Sequence, residues 1–308
     1  MEVPIGCGTA LVTPFRQDGS LDEQALYSLT QWQVENGIDW LVACGTTAET
    51  PTLDDDEWLR VLRIITEAAA GRIPVWAGCT HNATRQAIER ARLAARVPGV
   101  TAILSANPYY NKPTQEGQFE HFKAVAQAVD LPIMLYNIPS RTGVNLEPAT
   151  VLKLIEAAPN IAGIKESSGS LAQITELITL APRNFRVYSG DDNLALAVIG
   201  VGGVGLVSVA SNEIPDEMAK MVRAALANDW ATARRLNRKN YRLMLANFWE
   251  TSPGPVKAVM AMMGKLGEHY RLPMLPVSPA TRTRLEKLAG EMGLLVHGPQ
   301  PEGDLRMF

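Results

Sequence analysis

Ile161-Ala-Gly-Ile-Lys-Glu-Ser-Ser168 reads as a short buried strand that stops at polar residues. Its apolar positions are continuous rather than alternating, and the run is too short for a helix. That is the pattern of a parallel strand covered on both faces. Lys165 closes the run. An ammonium rarely lies buried without a partner, because removing it from water is costly. Two readings are open at this point. Lys165 could snorkel to the surface past the strand end, or it could be an amine held out of water within reach of a carbonyl.

Seven further runs have the same character: Gly8–Val12, Trp40–Cys44, Pro74–Cys79, Val100–Ser105, Pro132–Tyr136, Phe185–Ser189 and Val204–Val209. From Thr9 to Ser208 they recur at intervals of about 28 residues, the size of one βα unit. The intervening segments carry helical spacing, as in Leu21–Gly37 and Asp56–Gly71, and each of those two ends at a glycine suited to a C-cap. Eight buried strands alternating with helices predict an α/β fold, a (β/α)8 or TIM barrel. An open doubly wound sheet is the alternative, but no G-x-G-x-x-G opens the first βα turn.

After the eighth run only helical patterns follow: Asp216–Trp230, Ala231–Trp249, Pro255–Leu266 and a last one from Ser278, with Pro279 in its first turn, to about Gly293. The expected organisation is a barrel over residues 1–215 and a helical C-terminal region over 216–296 packed on it. The Pro- and Gly-containing tail, 297–308, is expected to be disordered.

Composition narrows the function. The 308 residues carry a net charge of −3 with both signs interspersed, which leaves no electrostatic footprint for nucleic acid or an anionic membrane. A small-molecule partner is expected. Cys7, Cys44 and Cys79 form no C-x-x-C and sit in or beside strand-like runs, so reduced thiols and a cytoplasmic location are expected. The N-terminus lacks the pattern of a secretory signal, and the most apolar stretch, Leu194–Ala210, contains four glycines and is too short to span a membrane.

In such a barrel, active groups stand at the C-terminal ends of the strands. Those ends supply Gly45-Thr46-Thr47, Asn107-Pro108-Tyr109-Tyr110, Tyr136-Asn137, Lys165-Glu166 and Ser189-Gly190-Asp191-Asp192. A lysine, two hydroxyls with free N–H groups and a tyrosine at one mouth could bind a carboxylate, form an imine and move a proton. Taken singly, each has a plainer reading, as a strand-to-helix turn, a core aromatic or a surface pair. Arg141, in the loop after Tyr136, could clamp a substrate carboxylate. The four histidines show no metal-ligand spacing, and the acidic run Asp54–Glu57 reads as the first turn of a helix, so no metal is expected. The Gly202-Gly203 pair precedes the eighth strand, so a barrel phosphate site is not expected either.

Together, Gly45-Thr-Thr-Ala-Glu-Thr50, Asn107-Pro-Tyr-Tyr-Asn-Lys-Pro-Thr-Gln-Glu-Gly117, Tyr136-Asn-Ile-Pro-Ser-Arg-Thr-Gly143, Gly163-Ile-Lys-Glu-Ser-Ser-Gly169 and Ser189-Gly-Asp-Asp192 closely resemble the dihydrodipicolinate synthase family. That family belongs to the pyruvate-dependent class I aldolases and lyases. The resemblance runs in order and spacing from about Ile5 to Leu295. It implies that Lys165 forms a Schiff base with pyruvate, with no other cofactor. Thr46 and Thr47 match the pyruvate carboxylate site, and Thr47, Tyr136 and Tyr110 match the proton relay. In the family that second tyrosine crosses from a neighbouring subunit of a homotetramer built as a dimer of dimers.

By the same resemblance, Arg141 matches the arginine that receives the carboxylate of aspartate semialdehyde, while Gly190 and Val207 match positions lining the site through the backbone. The implied activity is condensation of pyruvate with aspartate semialdehyde in diaminopimelate and lysine biosynthesis. A related lyase acting on a sugar-acid aldehyde is the alternative, although such lyases generally lack that arginine, so its presence favours the synthase. A non-catalytic pyruvate-binding barrel is a further one, although it would be expected to lose Lys165 or Tyr136. The chain departs from the common pattern at Ala48, Thr50 and Ser167-Ser168. The family's feedback site for lysine maps near Thr50, Pro51, Asp55, Trp58, Asn82, Gln86 and Tyr109. Gln86 stands where regulated members commonly carry Glu, and a neutral amide cannot balance a ligand's charge, so lysine is expected to inhibit weakly or not at all.

Overall fold

The computed structural model describes residues 3–295; the expected disordered tail lies outside the described residues. Eight parallel strands close on themselves in chain order. They are β1 (Gly6–Ala10), β2 (Trp40–Ala43), β3 (Val75–Gly78), β4 (Val100–Ala106), β5 (Ile133–Asn137), β6 (Ile161–Glu166), β7 (Arg186–Ser189) and β8 (Gly205–Ser208). Closure comes from β1 pairing with β8 through Gly6–Gly205 and Thr9–Ser208. The closed barrel is the architecture expected, not the open sheet.

Outside the strands run α1 (Glu23–Glu35), α2 (Asp55–Ala69), α3 (Thr84–Ala95), α4 (Gln115–Gln127), the short α5 (Pro139–Thr142), α6 (Pro148–Ala157), α7 (Leu171–Leu180) and α8 (Ala195–Gly200). The acidic run opens α2. Asp54 accepts from the Glu57 N–H at 2.8 Å, and Glu57 reaches back to the Asp54 N–H, a reciprocal capping box that also sets three carboxylates against the positive end of the helix dipole.

Four helices follow: α9 (Pro215–Leu226), α10 (Trp230–Ala246), α11 (Gly254–Met262) and α12 (Pro279–Glu291). The first of them, α9, packs on β1 and β8 as the eighth helix of the ring, while α10 packs on α9, and α12 on α10 and α11. Ser278 caps α12 by accepting from the Thr281 N–H.

Two apolar cores result. The larger lies between the strands and the helices. The smaller fills the barrel interior, where Trp40, Trp76 and Tyr188 meet with ring centroids 5.1 to 5.5 Å apart. Gly8 makes that cluster possible, since a Cβ there would fall 2.2 Å from the Trp40 ring. Two residues further along β2 and β3 the interior positions shrink, to Val42 after Trp40 and to Gly78 after Trp76, and on β6 Lys165 follows Gly163. The aromatic cluster therefore makes a floor, and space opens above it at the C-terminal ends of the strands.

Candidate active site

A cavity of about 330 Å³ occupies that space, lined by Lys165, Tyr136, Thr46, Leu104 and Ala106 among others, with Arg141 at its rim. Lys165 is only 5% exposed, so it does not snorkel into bulk solvent. Tyr136 and Lys165 are register partners on β5 and β6, and Lys165 is in turn the partner of Tyr188 on β7. Partners in a parallel pair face the same side, which puts Lys165 Nζ 4.2 Å from the centroid of the Tyr136 ring.

Gly190, just past β7, is needed for this placement by a contact that sequence reasoning missed. A Cβ there would lie 2.9 Å from Lys165 Cε and 1.9 Å from Ser167 Oγ. Its N–H continues the sheet by donating to the Glu166 carbonyl at 2.8 Å. Val207 is fully buried in the interior core rather than on the cavity wall.

Thr46 and Thr47 sit on a 3-10 turn, Thr46–Ala48, directly after β2. Thr46 is exposed at the cavity, and Thr47 is buried beside it in the chain. Thr50 opens a second 3-10 turn, and its hydroxyl donates back to the Gly45 carbonyl at 2.8 Å, tying the two turns together. Arg141 lies on α5, exposed, and donates to the Ser252 carbonyl at 3.1 Å, so the guanidinium is anchored from the C-terminal region while remaining open to the cavity.

The adjacent tyrosines part company. Tyr109 lines the cavity, whereas Tyr110, 88% exposed with φ of +72°, does not. Of the residues mapped to a lysine site, Thr50, Pro51 and Tyr109 line the same cavity, together with His81 and Arg90. Trp58 is buried with its indole N–H donated to the Gly78 carbonyl, Gln86 is exposed, Asp55 pairs with Arg90 at 3.6 Å, and the Asn82 carbonyl accepts from Asn111.

On the outer side of β6, Glu166 is buried against an amide network that local sequence patterns do not reveal. It accepts from Asn137 and from the Ser168 hydroxyl at 2.5 Å each, and Asn137 also donates to Asn145 at 2.8 Å. Asn107 joins through Gln118 at 2.6 Å. Burial pushes the Glu166 carboxyl above its usual range, while these donors oppose the shift. The ends of β4, β5 and β6 are thus tied together behind the residues that face the cavity. At the end of β7 and β8, buried Asp192 accepts from the Ser208 hydroxyl and from the Val209 and Ala210 N–H groups. Among the described residues no cluster of His, Cys, Asp and Glu could hold a metal ion.

The model of the dihydrodipicolinate synthetase family matches residues 4–292. The chain belongs to that family. Among its relatives, the 4-hydroxy-tetrahydrodipicolinate synthase of Acidobacterium capsulatum is 73% identical over 297 residues, covering 96% of this chain and 98% of the relative. That of Koribacter versatilis is 59% identical over 290 residues, covering 94% and 96%. The dihydrodipicolinate synthase structure from Aquifex aeolicus aligns with TM-score 0.93 at 40% identity over 96% of this chain and all of the other. The Acinetobacter baumannii dihydrodipicolinate synthase, solved as a chloride-inhibited form complexed with pyruvate, aligns with TM-score 0.92 at 40% identity over 94% and 99%. In this chain the lysine ending β6 and the arginine after β5 share one barrel mouth, closed below by apolar side chains.

Proposed function

We propose that this chain condenses pyruvate with L-aspartate 4-semialdehyde to give 4-hydroxy-tetrahydrodipicolinate, a lyase-type step of diaminopimelate and lysine biosynthesis, through a Schiff base on Lys165. The observation that carries this reading is Lys165 itself, buried at the end of β6 against the Tyr136 ring, in a cavity with an arginine at its rim.

The neutral form of an amine is the nucleophile, and the burial of Lys165, 5% exposed, shields it from bulk water. Lys165 Nζ adds to the keto carbon of pyruvate and water leaves, while Thr46 and Thr47 hold the carboxylate with hydroxyls and N–H groups of their turn. Loss of a methyl proton from the iminium gives an enamine, whose carbon adds to the aldehyde as the new alkoxide takes up a proton. The amino group of the adduct then attacks the iminium carbon, closes the ring and releases Lys165. Tyr136 moves these protons, with Thr47 and Tyr110 of the partner subunit on either side of it. The exposure of Tyr110 and its place outside the lining of its own cavity support an exchanged role across a dimer interface. Arg141, free of any carboxylate partner among the described residues, receives the carboxylate of the semialdehyde.

In this reading the enzyme needs no cofactor besides Lys165, works in the cytoplasm as a homotetramer of two tight dimers, and responds to lysine weakly or not at all. Among the described residues no helix is long and apolar enough to cross a membrane. Pyruvate consumption followed by NMR tests the acceptor. Loss of pyruvate only with aspartate semialdehyde is the expected result, and preference for an uncharged sugar aldehyde would move the chain to the sugar-acid lyase branch.

A further inference from the structure

Glu49 joins the two 3-10 turns that carry Thr46, Thr47 and Thr50, and it does so at φ of +54°, a left-handed conformation that a side chain with a Cβ adopts only when its surroundings hold it there. What holds it comes from the far end of the chain. The Glu49 carboxylate is 1% exposed and accepts from Lys257 Nζ on α11 at 2.5 Å, and Lys257 is fully buried.

The same Nζ donates to the His269 carbonyl at 2.7 Å and lies over the Phe15 and Tyr270 rings at 4.6 and 4.9 Å. Arg271 then grips the following turn. It donates to the Thr52 carbonyl at 2.8 Å and to both oxygens of Glu57 at 2.6 Å, and it stacks on Phe15 at 4.4 Å. The loop bearing the carboxylate-binding turn is therefore pinned at Glu49 and at Thr52 by a segment more than 200 residues away in sequence.

A buried ion pair is often no better at stabilising a fold than apolar residues of the same volume, and in some proteins its role is instead to specify one geometry. Neither charge touches the cavity. We propose that Glu49 and Lys257 are positioning residues for pyruvate: the pair fixes the left-handed joint that aims the Thr46–Thr47 turn at the substrate carboxylate, and supplying it is one task of the C-terminal helical region. This rests on the functional reading above.

The test is the double variant Glu49→Gln/Lys257→Met in the full-length enzyme, which removes both charges together so that neither is left buried alone. Its melting temperature is expected to stay near that of the parent, while KM for pyruvate rises at least tenfold and kcat at saturating pyruvate changes less than about threefold. A pyruvate KM within twofold of the parent would overturn the proposal. If the double variant is not recovered folded, Lys257→Arg is measured instead, since it keeps the charges and alters only the reach. An unchanged pyruvate KM there overturns the proposal equally. Borohydride trapping of the parent with pyruvate separates the two levels. A parent that traps no pyruvate contradicts the functional reading, whereas a parent that traps it, beside variants of unaltered KM, contradicts only the positioning role.

Discussion

The Nζ of Lys165 stands 4.2 Å from the centre of the Tyr136 ring because the two residues are register partners on adjacent parallel strands. No loop intervenes between nucleophile and phenol, so their relation is as rigid as the sheet. Geometry held on strands is what imine chemistry requires, since reacting groups displaced by about 1 Å can lose two orders of magnitude in rate.

Tyr136→Phe keeps the ring and removes only the hydroxyl. The expected outcome is a fall in kcat of about 10²- to 10⁴-fold, the span of general acid–base catalysis, with an unchanged melting profile. Steady-state kinetics and circular dichroism check it together, and a kcat within threefold of the parent would remove Tyr136 from the proton path.

Arg141→Ala leaves the Ser252 carbonyl without its donor and the cavity rim without its cation. A charge-assisted contact of about 1.5–3 kcal/mol converts to a KM for aspartate semialdehyde raised roughly 10- to 150-fold. KM for pyruvate should hardly move. Equal increases for both substrates would mean that Arg141 shapes the cavity rather than reading the acceptor.

Gly190→Ala inserts a methyl against Lys165 Cε and Ser167 Oγ. The serine hydroxyl, which has no hydrogen-bond partner among the described residues, can rotate away, but Lys165 must shift. A loss in kcat/KM of about 10²-fold is expected. Adding Ser167→Ala to the variant should not restore it. Recovery in that double variant would place the strain at the serine instead.

His121 is buried, with one ring nitrogen on the Thr84 hydroxyl at 3.0 Å and the other without a partner among the described residues. Burial, and secondarily the nearby His81, push its pKa down to about 4 from an ordinary 6.5. With the folded value depressed, the fold favours the neutral ring. Its contribution is fully present above pH 6.5 and is lost as the pH falls toward 4. Between pH 7 and 5 this amounts to roughly 2 kcal/mol of unfolding free energy. Urea denaturation of the parent and of His121→Gln at both values measures it. The variant should lose about that much less on acidification, and equal losses would show that His121 is not the titrating group.

The barrel was legible because each strand is buried on both faces and so appears as an unbroken apolar run, Trp40–Ala43 and Ile133–Leu135 being examples. The residues at the mouth were legible for a related reason, since polar side chains such as Lys165 and Tyr136 interrupt those runs at their ends. What stayed hidden is held by long-range contacts. Glu49 and Lys257 are 208 positions apart, and neither has a local pattern that marks it as half of a buried pair. Glu166 looks like any strand-end acid until Asn137, Asn145, Asn107 and Gln118 converge behind it. Gly190 could be read as a backbone-lining glycine, but its contact with Lys165 Cε depends on the packing of β6 against β7. Likewise, α9 reads as the start of a helical appendage, and only its packing on β1 and β8 shows that it completes the ring.

The most direct test of the imine mechanism is borohydride reduction of the enzyme in the presence of pyruvate, followed by peptide mass spectrometry. The expected result is a single reduced pyruvyl adduct on Lys165 in the parent, and neither adduct nor turnover in a folded Lys165→Ala variant. An adduct on another lysine, or turnover that survives Lys165→Ala, would contradict the mechanism.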